Sequence, residues 1–194
     1  MSNVPLRLAV IISSVREGRF GPVPGQWIAA QARERADLEV DVIDLTEHDL
    51  PAALSFNPSP ETAEALASVS PRLERADAYV VVTPEYNHSY PASLKHLIDW
   101  HYTQWRAKPV GFVSYGGLAG GLRAVEHLRP VFAELHAVTV RDVVSFHSAW
   151  EHFGEDGLPK DAEGPEGAAK VLLDQLAWWG TVLREGREKT PYQA

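Results

Sequence analysis

Short, almost wholly apolar runs alternate along the chain with longer amphipathic stretches. Residues 6–12 (LRLAVII), 78–83 (AYVVVT) and 109–115 (PVGFVSY) are bounded by prolines, serines and glycines. Runs of that length, rich in β-branched side chains, suit strands buried on both faces, as in a parallel sheet. Residues 39–45 (EVDVIDL) alternate apolar and polar positions, and 138–146 supply a fifth strand. Helical spacing fills the intervals. It appears at 26–36, at 60–75 with Leu66, Val69 and Leu73 on one face, at 92–105 with Leu94, Leu97, Ile98 and His101, and at 119–137. Pro130 is expected to kink or interrupt the last of these. Residues 151–167 read as a Gly- and Asp-rich loop, and a closing helix carries Leu172, Leu176, Trp179 and Leu183 on one stripe.

Strands alternating with helices predict an α/β architecture, a doubly wound five-stranded parallel sheet between two helical layers, in a single domain spanning 1–194. Such sheets bind ligands beyond the carboxyl ends of the strands, where the strand order reverses. The loops at 13–21, 84–91 and 114–121 are therefore the places to look for chemistry.

Composition narrows the classes. A hydrophobic share of 45% with 23% charged residues is that of a globular protein. The balance of 18 basic against 26 acidic residues gives a net charge of −8, which would repel a polyanion, so no nucleic-acid partner is expected. There is no cysteine, so thiolate metal sites, iron–sulfur clusters and Cys nucleophiles are excluded, and any redox chemistry needs a borrowed cofactor. No apolar run approaches the roughly 18 residues of a membrane span, and the start carries no basic stretch feeding an apolar signal core, so the expectation is a cytoplasmic protein with no membrane partner.

Loop 13–21 (SSVREGRFG) offers two hydroxyls, the guanidinium groups of Arg16 and Arg19, and small residues at the start of a helix. That combination favours a phosphate dianion, with an ordinary polar turn as the alternative. No GxGxxG follows the first strand and no GxxxxGK[ST] occurs, which points to a mononucleotide. Loop 84–91 (PEYNHSYP) holds two prolines and two tyrosines, stiff and flat enough to frame a heterocycle, although Tyr86 and Tyr90 could equally cap the sheet. Loop 114–121 (SYGGLAGG) brings paired glycines to a strand end, either for close backbone approach or for a tight turn.

These loops carry a resemblance to the NAD(P)H-dependent FMN reductases, a flavodoxin-like family that also includes quinone, azo-dye and chromate reductases. The family's Gly-Ser-x-Arg-x-x-Ser pattern maps onto Ser13 to Arg19, its Pro-Glu-Tyr-Asn signature stands intact at Pro84, Glu85, Tyr86 and Asn87, and Ser114 with Gly116 and Gly117 matches its third flavin loop. Ser13 and Arg19 depart from the pattern, in place of Gly and Ser, which suggests a more cationic phosphate grip. The resemblance implies that Ser14 and Arg16 hold the FMN phosphate with Arg19 and Phe20 beside it, Ser13 being a further cofactor-binding candidate of the same loop. It further implies that Pro84 to Asn87 frame the isoalloxazine ring and that Ser114, Gly116 and Gly117 flank its other side. Hydride would pass from NAD(P)H through FMN to a small acceptor (free flavin, quinone, azo or nitro compound) with no catalytic side chain. A one-electron carrier and a non-enzymatic flavin-binding domain are the alternatives.

Eight histidines invite a metal reading, yet there is no HExxH, and His147 and His152 stand five apart, so no metal site is expected. No GxSxG elbow supports a hydrolase. Trp100, Tyr102 and Trp105 fall outside the apolar stripe of the 92–105 helix, and three aromatics facing water predict a subunit interface. The resemblance likewise implies a homodimer or homotetramer whose neighbouring chain helps wall the flavin.

Overall fold

In the computed structural model, which describes residues 4–193, five strands and six helices follow in the order β1 (Leu6–Ile12), α1 (Pro22–Arg33), β2 (Leu38–Asp44), α2 (Pro60–Arg75), β3 (Ala78–Pro84), α3 (Ala92–Trp100), β4 (Pro109–Gly116), α4 (Leu122–Glu134), β5 (Val138–His147), α5 (Ala149–His152) and α6 (Glu163–Lys189). All strand pairs are parallel and the spatial order is β2-β1-β3-β4-β5, the flavodoxin-like arrangement expected. The chain leaves β1 toward β2 on one side and returns to place β3 on the other. The crevice between the carboxyl ends of β1 and β3 is thus the switch point.

The period of two along each strand sorts the core into two layers. Leu8 and Val10 of β1 and Val80 and Val82 of β3 pack with Trp27 and Ile28 of α1 and with Leu172 and Leu176 of α6. Their neighbours Ala9, Ile11, Tyr79 and Val81 pack with Val69 and Leu73 of α2, Leu94 and Leu97 of α3 and Leu128 and Phe132 of α4. The inner strands are buried on both faces, which is why they read as unbroken apolar runs.

Element ends depart from the pattern for local reasons. Helix α1 begins four residues before the expected start because Pro22 and Pro24 sit in its first turn, where a missing N–H costs nothing. Helix α4 begins at Leu122 rather than 119, since Gly120 and Gly121 hold φ of +58° and +84°. At Gly121 a Cβ would stand 2.8 Å from the Tyr115 nitrogen, so both conformation and space require glycine. Pro130 does not interrupt α4: the helix continues through it, with Leu128 and Phe132 fully buried on either side. Helix α6 begins inside the segment read as loop.

The aromatic cluster also differs from expectation. Helix α3 stops at Trp100 and a 3₁₀ turn at Thr103–Trp105 swings Trp105 inward. Its ring is fully buried against Tyr79 (4.8 Å between centroids) and Phe132 (5.4 Å), and its Nε1 donates to the His101 carbonyl. Trp100 Nε1 donates to the Pro51 carbonyl, and only Tyr102, beneath the Arg106 guanidinium, stays largely exposed. The premise of an aromatic interface on this helix therefore fails. Among the described residues no helix is long and apolar enough to cross a membrane.

Candidate functional site

The loop after β1 is anchored at its first residue. Ser13 donates from both its N–H and its hydroxyl to the Val82 carbonyl, so its side chain is spent on the sheet and does not reach outward as expected. Ser14 is also fully buried, but its Oγ has no partner. The next four residues are exposed, and no hydrogen bond within the described residues engages the N–H groups of Val15, Arg16, Glu17 or Gly18. A turn closed by the Arg19 N–H on the Arg16 carbonyl holds them in place.

The two arginines separate. Arg16 is free of any ion pair among the described residues and lies over the Tyr86 ring at 5.5 Å, which joins the first loop to the second. Arg19 instead forms a two-pronged ion pair with Asp44 (2.7 and 2.6 Å) and donates to the Ser14 carbonyl. The expected contribution of helix N–H groups is also small. Pro22 and Pro24 have none, and those of Val23 and Gly25 are bound to the Phe20 and Gly21 carbonyls. Donors to an anion here come from the loop, not from the helix.

The loop after β3 is rigid. Tyr86 and Ser89 exchange both backbone hydrogen bonds (2.8 and 3.0 Å), and the residues between them, Asn87 and His88, have φ of +48° and +75°. That is a tight turn of the kind in which asparagine is favoured, so Asn87 serves the backbone and its side chain is exposed. The Glu85 carboxylate accepts from the Arg123 N–H (3.2 Å) and guanidinium (3.0 Å), capping α4 and tying the second loop to the third.

In the loop after β4, Ser114 is fully buried and donates to the Gly120 carbonyl, as does Ser145. Ser114 thus shapes the loop from beneath it. Gly116 and Gly117 remain open, and the Gly117 carbonyl accepts from Ser148, which starts α5 in a left-handed conformation and sets Trp150 beside them.

Together the loops enclose a cleft of about 180 Å³ lined by Arg16, Phe20, Pro84, Glu85, Tyr86, Tyr115, Gly116, Gly117 and Trp150. Ser13, Arg19 and Ser114 are turned to partners of their own, and Asn87 lies on the turn. Tyr115 and Trp150 are additions. The first lies within loop 114–121 but at the end of an apolar strand run, where it reads as sheet, and the second stands just before a segment that reads as featureless loop. Tyr115 OH is buried without a partner, as is the neighbouring Ser14 Oγ, and both converge on Gly21, where a Cβ would lie 2.7 Å from the phenol oxygen. Burial pushes the Tyr115 pKa well up, so at neutral pH it is a protonated donor. Two buried hydroxyls with no partner outside their own pair, at a sheet switch point beside an uncommitted arginine and a row of open N–H groups, suit a phosphorylated ligand. The flat walls of Phe20, Tyr86 and Trp150 suit an aromatic ring.

Comparison with known proteins agrees with this chemistry. The family model for NADPH-dependent FMN reductase matches residues 6–151. A quinone reductase of Escherichia coli is 33% identical over 146 residues, 70% of this chain and 73% of that protein. An NAD(P)H-dependent FMN reductase of Schizosaccharomyces pombe is 34% identical over 122 residues, 59% of this chain and 60% of that protein. Among solved structures, the flavoenzyme NAD(P)H:(acceptor) oxidoreductase FerB from Paracoccus denitrificans superposes with a TM-score of 0.72 at 24% identity, covering 91% of this chain and 97% of that one.

Proposed function

Since the chain belongs to the NADPH-dependent FMN reductase family, we propose that it is a one-domain flavoenzyme, binding FMN at the β1/β3 crevice and passing reducing equivalents from NAD(P)H to a small aromatic acceptor of the quinone class. The observation that carries the reading is the pair of buried, partnerless hydroxyls of Ser14 and Tyr115 next to Arg16. Bound FMN supplies the hydride-accepting and hydride-donating centre.

The residues around it bind, orient and exclude water. Ser14, Tyr115, Arg16 and the open N–H groups of 15–18 would meet the phosphate end. The rigid turn after Pro84 and the bare backbone of Gly116 and Gly117 would frame the ring, and Phe20 and Trp150 would close the sides. No side chain in the cleft is poised as an acid or base: Glu85 is committed to Arg123, Arg16 is a permanently charged guanidinium, and the remaining walls are aromatic, glycine or proline. Rate then comes from stacking and distance.

A one-electron carrier has less support, because the relatives above are named as reductases. A second copy of the chain is the proposed partner. Its support is now the exposed Leu118, Leu122 and Trp150 beside the cleft, not the helix ending at Trp100. A cytoplasmic setting is part of the same reading. Steady-state oxidation of NADH and NADPH by the purified yellow protein across a quinone, azo and flavin panel is the test. Absence of FMN-dependent turnover with every acceptor would refute it.

A further inference from the structure

We propose that Arg19 is a positioning residue, a tether that fixes the phosphate-binding loop to the end of β2 and not a ligand of the phosphate. The inference rests on the FMN reading above and deepens it. Nη1 of Arg19 has Asp44 Oδ1 at 2.7 Å and the Ser14 carbonyl at 2.9 Å; Nη2 has Asp44 Oδ2 at 2.6 Å and Thr46 Oγ1 at 3.3 Å. Two amino groups carry four hydrogens, and four acceptors meet them. Only Nε is left over. The acceptor side is equally full, because Asp44 also takes the N–H and hydroxyl of Thr46 at 3.0 and 2.9 Å. Both charged side chains are about four-fifths covered. A phosphate could recruit either amino group of Arg19 only by displacing Asp44 or its neighbours in a partly buried setting, which leaves it the single Nε–H and not the two-pronged grip of a phosphate-binding guanidinium.

The tether acts on the atoms that matter. By holding the Ser14 carbonyl, Arg19 fixes the peptide whose side chain presents the partnerless Oγ, and its own N–H closes the turn bearing the open N–H groups of 15–18. Charge at this loop is accordingly divided. Arg16 stays unpaired and available, while Arg19 is neutralised by β2. An arginine where the family pattern has serine therefore does not make the grip more cationic; it makes the loop more rigid.

The experiment titrates flavin-free whole chain with FMN and with riboflavin, following quenching of flavin fluorescence. Arg19→Ser and Asp44→Asn are each expected to lower FMN affinity about tenfold while leaving riboflavin affinity unchanged, and the double variant is expected to lose no more than either single one. Arg19→Lys keeps the charge but not the fork, and is expected to lose FMN affinity as well. If Arg19 were a phosphate ligand, Asp44→Asn would free it and FMN affinity would hold or rise. That result overturns the tether, as does unaltered FMN affinity in Arg19→Ser. Equal loss of FMN and riboflavin affinity in both single variants would mark a merely structural ion pair and overturn it too. Should Arg19→Ser fail to fold, Asp44→Asn and Arg19→Lys decide by direction. Equal affinity of the unaltered chain for FMN and riboflavin would overturn the FMN reading itself, and the tether with it.

Discussion

Removing one oxygen from Tyr115 should move stability and binding in opposite directions. The phenol oxygen is buried and has no hydrogen-bond partner. A buried polar group left unpaired costs about 1–3 kcal/mol, so Tyr115→Phe should stabilise the flavin-free protein by about 1 kcal/mol at the low end of that range. For a chain of this size that is a rise in Tm of about 2–4 °C. The ring keeps its packing against Phe20 (5.9 Å between centroids), so no cavity term offsets the gain. With FMN present the hydroxyl instead donates to the ligand, and its loss should cost about 0.5–3 kcal/mol of affinity, the upper part applying if the acceptor is the phosphate. The stabilisation that saturating FMN confers should shrink by the same amount. Thermal melts of both proteins, with and without FMN, read both quantities. A lower flavin-free Tm, or an unchanged FMN-induced shift, would refute the reasoning, since either would mean that the hydroxyl has a partner in the free protein or none in the complex.

The unpaired guanidinium of Arg16 predicts that Arg16→Ala loses about 1.5–3 kcal/mol of FMN affinity with riboflavin affinity unchanged, read by fluorescence titration. His88 is exposed at the apex of the tight turn, so His88→Ala should leave stopped-flow reduction of the bound flavin by NAD(P)H in the same order of magnitude; a fall of several orders would expose a missed catalytic role. Lys108 is buried at the carboxyl end of α2, where its ammonium donates to the Leu73 and Glu74 carbonyls, and burial lowers its pKa to about 8. The unfolded chain keeps that proton to above pH 10, so it binds more protons than the folded chain between the two values, and this group makes stability rise with pH from about 8 upward. Urea unfolding at pH 7.5 and 9.5 should show the rise in the native chain and lose it in Lys108→Met.

The strands were legible because a parallel sheet buries both faces, leaving apolar runs such as Ala78–Pro84 that nothing else in the chain imitates, whereas their order was expected only from the family resemblance. Helix ends were not legible, and one boundary error had consequences. Extending α3 to residue 105 placed Trp105 on an outer face, whereas the helix stops five residues earlier and the following turn buries that ring among Tyr79 and Phe132. A 3.6-residue period assigns faces only as far as the helix runs, so the surface inferred from it disappeared with its last turn.

The same distinction governs the site. Motif reading located all three loops, because glycine, proline and asparagine at strand ends have local conformational causes. It could not divide the polar side chains within them, because the deciding partners are remote in sequence: Asp44 for Arg19, Val82 for Ser13, Arg123 for Glu85. Each of those side chains has its hydrogen-bonding or charge capacity absorbed by the scaffold, and what the scaffold leaves over is Arg16, Ser14 and Tyr115. A folded protein carries few unsatisfied buried polar atoms at a cost of kilocalories each, and the two that meet at this cleft are the ground on which the proposed FMN site rests. The tethered residues supply the complement. By removing Arg19 and Glu85 from the set of free charges they keep the cleft from reorganising around an empty site, so that the loop geometry an anion requires exists before the anion arrives.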